Sequence, residues 1–391
     1  MYNYINKIDK SLYTIVTTES FVKHECIVFV RDYPKYKNIL YYKRVEFCEF
    51  PFVRAFGLKL NQKEIVDFAQ NQAVVYITKN AKVQTQVFVS KKILGLDALR
   101  PYNMQGKGST IAIIDTGVYP HIDFVLGKNR IVKFVDMING RGNPYDDNGH
   151  GTMVTSLACG SGYLHNKKYS GVSPLADIVV IKAIEGSGET SSIKILEAMQ
   201  WIYNNHKKYN ISVVCMSFGS NPVEGVDPLV IGAESLWNIG VVVVAAAGNS
   251  GPEKNSIKSP GISPKIITVG GLDDKRIGDN YREDNFCIAD FSSRGGISGY
   301  TKPDLIAPAV NIVGASSSGG YTSMSGTSVA TPLIAGVCAL IKGKYPRLTP
   351  NQVKLRLVKS CKKIPASFSE DGYGVVDMRL FLRQNILQSS D

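Results

Sequence analysis

The chain has 391 residues, 44% of them hydrophobic and 20% charged, a balance that supplies a large buried core and excludes global disorder. Its formal net charge is +12, but the densest basic spots are only pairs: Lys91-Lys92, Lys167-Lys168, Lys207-Lys208 and Lys362-Lys363. No run of five like charges and no zinc-finger, helix-turn-helix or RNP pattern accompanies them, so the charge reads as solvated surface and nucleic acid is not expected as a partner.

Residues 1–16 alternate polar and apolar types and lack the continuous apolar run of a secretory signal. From His24 the pattern predicts a strand to Asp32, a helix over Tyr36–Arg44, two β-rich runs over Val45–Phe52 and Val53–Leu60, and a strand over Ala73–Thr78. Asn61 and Glu64 have the spacing of a capping box, opening an amphipathic helix with Ile65, Phe68 and Ala69 on one face. That β-α-β-β-α-β order predicts a small ferredoxin-like α+β domain over residues 1–88.

Residues 89–391 then alternate apolar runs with helical patterns. Strands are expected at Thr110–Ile114, Ile178–Ala183, Ile211–Met216, Val241–Ala247 and Ile266–Val269. Helices are expected near His150–Gly160, Ser191–Asn204, Pro228–Asn238, Ser328–Lys344 and from Thr349 to about Ser360. Strands that are apolar throughout imply a mostly parallel sheet covered on both faces, an α/β architecture. The longest apolar stretch, Ile239–Gly248, is about half of what a membrane helix needs, so no membrane partner is expected. Seven scattered cysteines without any C-x-x-C spacing fit reduced thiols and a cytoplasmic location.

Four segments place a polar residue where folding alone would favour another type. Asp115 ends the strand Ile111–Ile114 before Gly117, at the strand end where α/β folds gather reactive groups. His150 stands between Gly149 and Gly151 at a helix start, where the glycines allow close backbone approach. Ser328, in Gly326-Thr327-Ser328, opens an apolar helix whose N-terminus favours developing negative charge. Asn249 follows the buried run Val241–Ala247 and presents an amide from a turn.

In the order Asp, His, Asn, Ser these segments resemble the subtilases, the subtilisin-like serine proteases, across about residues 90–390. Phe291-Ser292-Ser293-Arg294-Gly295, Lys302-Pro303-Asp304-Leu305 and Gly372-Tyr373-Gly374 extend the likeness. The nearest branch is the intracellular AprX-type subtilases, pointed to by the Ser-Ser-Arg-Gly and Lys-Pro-Asp-Leu segments and a short loop after the histidine helix. The resemblance implies a three-layer subtilisin-like fold and hydrolysis of polypeptide substrates. Ser328 would be the nucleophile, His150 the general base, Asp115 its orienting carboxylate and Asn249 the oxyanion donor. Gly186-Ser187-Gly188 and Ser217-Phe218-Gly219 would bind substrate as an added strand. Lys258, in the segment resembling the primary specificity pocket, would pair with an acidic substrate residue.

The small N-terminal domain resembles the family's inhibitory propeptide, implying an intramolecular inhibitor with a self-cleavage site within Lys82–Ser90, near Gln86. The family's tight calcium site would fall in the loop Ser161–Gly171, but Asn166, Lys167 and Lys168 suit a hard dication poorly. No metal or other cofactor is expected. Two rivals remain distinct. A catalytically silent binding protein of the same fold would be disfavoured by four intact catalytic positions. A nucleotide-binding enzyme would need a third glycine where Ser191 stands.

Overall fold

The computed structural model describes residues 4–9, 12, 16, 21–79, 87–278, 280–295, 300–366 and 368–388. The chain divides into two units, Met1–Val83 and Gln84–Asp391. In the first, β1 (His24–Val30) buries Cys26, Val28 and Val30 and leaves the residues between them partly exposed, the period of a sheet covered on one face. Helix α1 (Tyr33–Tyr42) begins earlier than the periodicity predicts. Asp32 caps it by accepting the Lys35 amide at 3.1 Å, and Pro34 pre-sets its first turn.

Strands β2 (Phe47–Phe50) and β3 (Ala55–Leu60) lead into α2 (Gln62–Gln70), where the capping box forms. Asn61 Oδ1 accepts the Glu64 amide at 2.9 Å and Glu64 Oε2 accepts the Asn61 amide at 2.8 Å. With β4 (Val74–Lys79) the sheet order is β2-β3-β1-β4, antiparallel throughout. Tyr36, Leu40 and Ile65 from the helices share one core with Val28, Leu58 and Ile77. This is the expected ferredoxin-like arrangement.

The second unit opens with α3 (Val87–Ile93), so the sequence-based boundary at 88/89 falls inside a helix. Of the segment expected to be cut, residues 82–86, Gln86 among them, lie outside the described residues. Then come β5 (Thr110–Asp115), β6 (Ile131–Asp136), α4 (His150–Cys159), β7 (Asp177–Lys182), α5 (Ser192–Asn205), β8 (Ile211–Met216), α6 (Pro228–Asn238), β9 (Val242–Ala246) and β10 (Ile267–Asp273). After β11 (Cys287–Ile288) follow β12 (Leu305–Pro308), the hairpin β13 (Ile312–Ala315) and β14 (Tyr321–Met324), α7 (Thr327–Lys344) and α8 (Pro350–Lys359). Strands β15 (Cys361–Lys362) and β16 (Val375–Val376) and helix α9 (Met378–Gln388) close the unit.

The main sheet runs β15-β16-β12-β10-β9-β8-β5-β7-β6, parallel from β6 to β16, with β11 and β15 added antiparallel. Strands β5, β8 and β9 are buried almost end to end, which requires cover on both faces. Helices α4 and α7 pack together as one layer, and α5 with α6 forms the other. Strand β6 escaped the sequence reading because it is the edge strand. Its outer residues are half-exposed, and Lys133 interrupts the apolar run.

The central neighbours β5, β8 and β9 end at Asp115, Met216 and Ala246, so their carboxyl ends lie side by side. Chain order reverses around β5, the topological position where open α/β sheets bind ligands. The Lys-Pro-Asp-Leu segment fixes the far side of the sheet. The buried Lys302 ammonium donates to Ile266 O at 3.0 Å, Thr268 Oγ1 at 2.9 Å and Asp304 Oδ2 at 2.6 Å. Burial, partly offset by Asp304, pushes its pKa down to about 8.

Candidate active site

Asp115 closes β5 with its side chain fully buried, and its Oδ1 lies 2.7 Å from His150 Nδ1. The Thr116 amide donates to the same oxygen at 2.8 Å, which fixes the carboxylate plane. His150 begins α4, and its two glycines each have a physical reason. Gly149 has φ +99°, and a side chain on Gly151 would overlap the Gly117 carbonyl of the turn after Asp115. Close contact between helix start and strand end is what brings the imidazole onto the carboxylate.

Burial alone would depress the His150 pKa, but the Asp115 charge and hydrogen bond, with the charge of Asp146, outweigh it and raise it. Asp146, which the sequence reading did not single out, organises the turn ahead of the histidine. It accepts from Thr116 Oγ1 at 2.9 Å, the Gly149 amide at 2.8 Å, and Thr152 through its amide at 2.8 Å and hydroxyl at 2.6 Å. Burial would raise its pKa, yet these donors together lower it, so it stays charged.

Lys182 was also missed. Its fully buried ammonium, at the end of β7, donates to Thr116 O at 2.7 Å, Ile184 O at 3.0 Å and Asp147 Oδ1 at 2.7 Å. All three donors are used, tying the Asp115 turn to the loop that follows β7. A lone charge in the apolar run Ile178–Ala183 was the signal that could have found it.

Ser328 lies in the first turn of α7, but the position before that helix belongs to Gly326, φ +149°, rather than to the serine. A methyl group on Gly326 would lie 3.1 Å from Ser328 Oγ and 3.3 Å from Asn249 Nδ2, so hydroxyl and amide flank the same glycine. Pro332 has no N–H to give the Ser328 carbonyl, which loosens the helix at that turn. Among the described residues His150 Nε2 and Ser328 Oγ form no hydrogen bond to each other. Such contacts commonly lengthen in substrate-free enzymes and tighten on binding.

The Asn249 amide is aimed by Thr327. Asn249 Oδ1 accepts the Thr327 amide at 2.9 Å and its hydroxyl at 3.0 Å, and the same hydroxyl accepts the Gly248 amide at 3.2 Å. This turns Nδ2 outward. Ser293, from the Phe-Ser-Ser-Arg-Gly segment, supports the same turn: its Oγ accepts the Ser250 amide at 3.0 Å and its amide donates to Gly248 O at 2.9 Å. Thr327→Val, nearly isosteric but without the hydroxyl, is expected to lower kcat about tenfold with KM little changed. Thr327→Ser should restore it, and steady-state kinetics of the three proteins checks both.

The two proposed substrate edges differ. The β8 ladder stops at Met216 and pairing resumes at Ser220–Ser259, leaving Ser217, Phe218 and Gly219 outside any ladder. The Phe218 ring is partly buried and packs against the core. Gly186-Ser187-Gly188 instead forms a turn. The Gly188 amide donates to Glu185 O at 3.0 Å, and Gly186 O accepts Asn148 Nδ2 at 3.0 Å, joining it to the histidine loop. Lys258 lies against Gly219 and Gly248.

The loop Ser161–Gly171 does not fit a calcium ion. Gly162 O accepts the His165 and Lys167 amides, and the Lys91 ammonium lies 2.7 Å from Ser170 Oγ. The nearby Asp123 carboxylate takes the Tyr163 amide and the Tyr321 hydroxyl, each at 2.9 Å. An ammonium and local N–H groups thus use the oxygens a dication would require. Among the described residues no group of three or more His, Cys, Asp or Glu side chains is gathered as a metal set. No helix among them is long and apolar enough to cross a membrane.

An imidazole oriented by a buried carboxylate, with a hydroxyl beside an outward amide at the ends of parallel strands, is the apparatus of a serine hydrolase. Within that class the chain belongs to the subtilase family, whose family model matches residues 106–374. It is 41% identical over 273 residues to serine protease AprX of Bacillus subtilis (strain 168), a match covering 64% of this chain and 60% of that protein's length. It is 30% identical over 315 residues to the thermostable alkaline protease of Halalkalibacterium halodurans, covering 80% of this chain and 78% of that one. Among solved structures, sphericase matches with a TM-score of 0.61 at 28% identity, over 72% of this chain and 97% of its own. A cold-adapted subtilisin-like serine proteinase matches at 0.56 and 30% identity, over 70% and 89%.

Proposed function

We propose that the chain is a serine endopeptidase acting through an acyl-enzyme on Ser328, with residues 1–83 serving as an intramolecular inhibitor that is cut free within 82–90. In this reading it works in the cytoplasm on polypeptide substrates. The observation carrying the catalytic part is the 2.7 Å contact between buried Asp115 and His150, beside an Asn249 amide turned outward by Thr327.

His150 takes the Ser328 proton as Oγ attacks the substrate carbonyl, then returns it to the leaving amine. Asp115 holds Nδ1–H and stabilises the imidazolium. Asn249 Nδ2 and the Ser328 amide receive the developing oxyanion. The ferredoxin-like fold of the first unit, immediately ahead of the catalytic unit in the chain, supports the inhibitor reading by likeness to family propeptides.

Incubation with a fluorophosphonate probe tests the nucleophile. An adduct mapped to Ser328 by peptide mass spectrometry is expected, and an unlabelled protein would instead favour the silent binding protein. Sequencing the N-terminus of purified wild type tests the processing. Asn249→Ala is expected to lower kcat about 10²- to 10³-fold, the size established for this donor in subtilisin. Unchanged turnover would remove the oxyanion role.

A further inference from the structure

Lys258 has a position its surroundings were shaped to admit. Its amide donates to Ala247 O at 2.9 Å, and the next residue pairs both ways with Ser220, Ser259 N to Ser220 O at 2.9 Å and Ser220 N to Ser259 O at 3.0 Å. The lysine is thereby strung between the strand end that precedes Asn249 and the open segment Ser217–Gly219. Its stem lies across a glycine on each wall. A methyl group on Gly219 would come within 2.6 Å of Lys258 Cβ, and one on Gly248 would overlap Lys258 Cγ. Any other residue at either position would displace it.

Among the described residues the ammonium has no acidic partner. Lys258 Nζ donates to Asn221 Oδ1 at 2.6 Å, and no carboxylate among the described residues lies within 4.0 Å of it. The buried carboxylate bonded to the next residue, Asp227, is already occupied: Oδ1 accepts the Ser259 hydroxyl and the Leu229 and Val230 amides, and Oδ2 accepts the Val223 amide. An ammonium has three donors, so two of the Lys258 donors remain for a ligand.

The reaction geometry says which part of a ligand arrives there. A carbonyl attacked by Ser328 must put its oxygen on Asn249 Nδ2. The side chain of that same residue leaves the main chain one bond further on, against Gly248, with Gly219 as the opposite wall. We infer that Lys258 reads a carboxylate side chain on the substrate residue that supplies the scissile carbonyl, making the enzyme selective for cleavage after glutamate or aspartate. The inference rests on the serine-endopeptidase reading and names its substrate class. A consequence lies in the chain itself. Residues 68–96 contain no acid, and the junction offers only Gln84 and Gln86, neutral isosteres of glutamate. Self-processing there would be slow compared with cleavage after glutamate.

Four peptides differing only in that residue (Glu, Gln, Leu or Lys) are compared on the full-length chain as expressed, for wild type, Lys258→Met and Lys258→Glu. Wild type is expected to prefer Glu over Gln by roughly 10- to 100-fold in kcat/KM. Lys258→Met keeps the stem and should erase that preference, and Lys258→Glu should shift it to Lys, with thermal melting showing that both remain folded. Equal use of Glu and Gln by wild type, or a Glu preference that survives Lys258→Met, overturns the inference. If wild type hydrolyses none of the peptides, the endopeptidase reading fails on its own. Titration calorimetry of the Glu and Gln peptides against Ser328→Ala then reads Lys258 directly, tighter Glu binding supporting the inference and equal binding ending it.

Discussion

With Ser328 replaced by alanine, the full-length chain is expected to fold, to remain uncut, and to lose peptide hydrolysis by about a millionfold, as the corresponding loss does in subtilisin. The replacement is mild for folding. Ser328 is half-buried in the first turn of α7, and alanine is the best helix former. The change in stability should stay within about 0.5 kcal/mol, leaving the melting temperature close to wild type. The lost activity is then chemical rather than structural. Intact mass, thermal melting and progress curves on one preparation check all three parts. A Ser328→Ala chain that still appears cut within 82–90 would mean another protease does the processing, and one that still hydrolyses peptides would place the nucleophile elsewhere.

Candidate residues stood out in the sequence where one residue type broke a local pattern. Asp115 ending an apolar run, His150 between glycines and Asn249 after a buried strand were visible because each conflicts with its neighbours' folding preference. The ferredoxin-like order was visible because the apolar run 26–30 reads as a strand and Asn61 and Glu64 have the spacing of a capping box. Residues acting through hydrogen bonds across long separations were hard to see. Thr327 reaches Asn249 over 78 residues, and nothing local distinguishes it from an ordinary helix start; Lys182 reaches Thr116 over 66, and only its lone charge in an apolar run marks it. Asp146 hid for a related reason, since an acid in a loop looks like solvated surface until five donors are seen converging on it.

Asp115→Asn is the second large effect, and it separates charge from shape. The substituted amide would keep the side chain's size but could present N–H to His150 Nδ1, placing the imidazole proton on Nε2, where it cannot accept from Ser328. A fall in kcat of about 10⁴-fold is expected. The pH profile should move as well. His150 must be neutral to act as base, so wild-type activity climbs as pH rises through its raised pKa. Without the Asp115 charge, burial is left as the stronger influence and pulls the imidazole pKa down, so the residual activity of Asp115→Asn should climb at lower pH than wild type. Asp146→Asn should shift the limb the same way but less, because Asp146 acts on His150 only through space. Rate profiles of the three proteins check the order, and an unmoved limb in Asp115→Asn would mean that another group sets the raised pKa. The linkage to folding runs the opposite way. Because the fold favours protonated His150, this pair contributes its full stability below the ordinary histidine pKa and loses it as pH rises through the raised one. The same rise in pH that supplies the catalytic base therefore withdraws part of the ion pair that holds it in place.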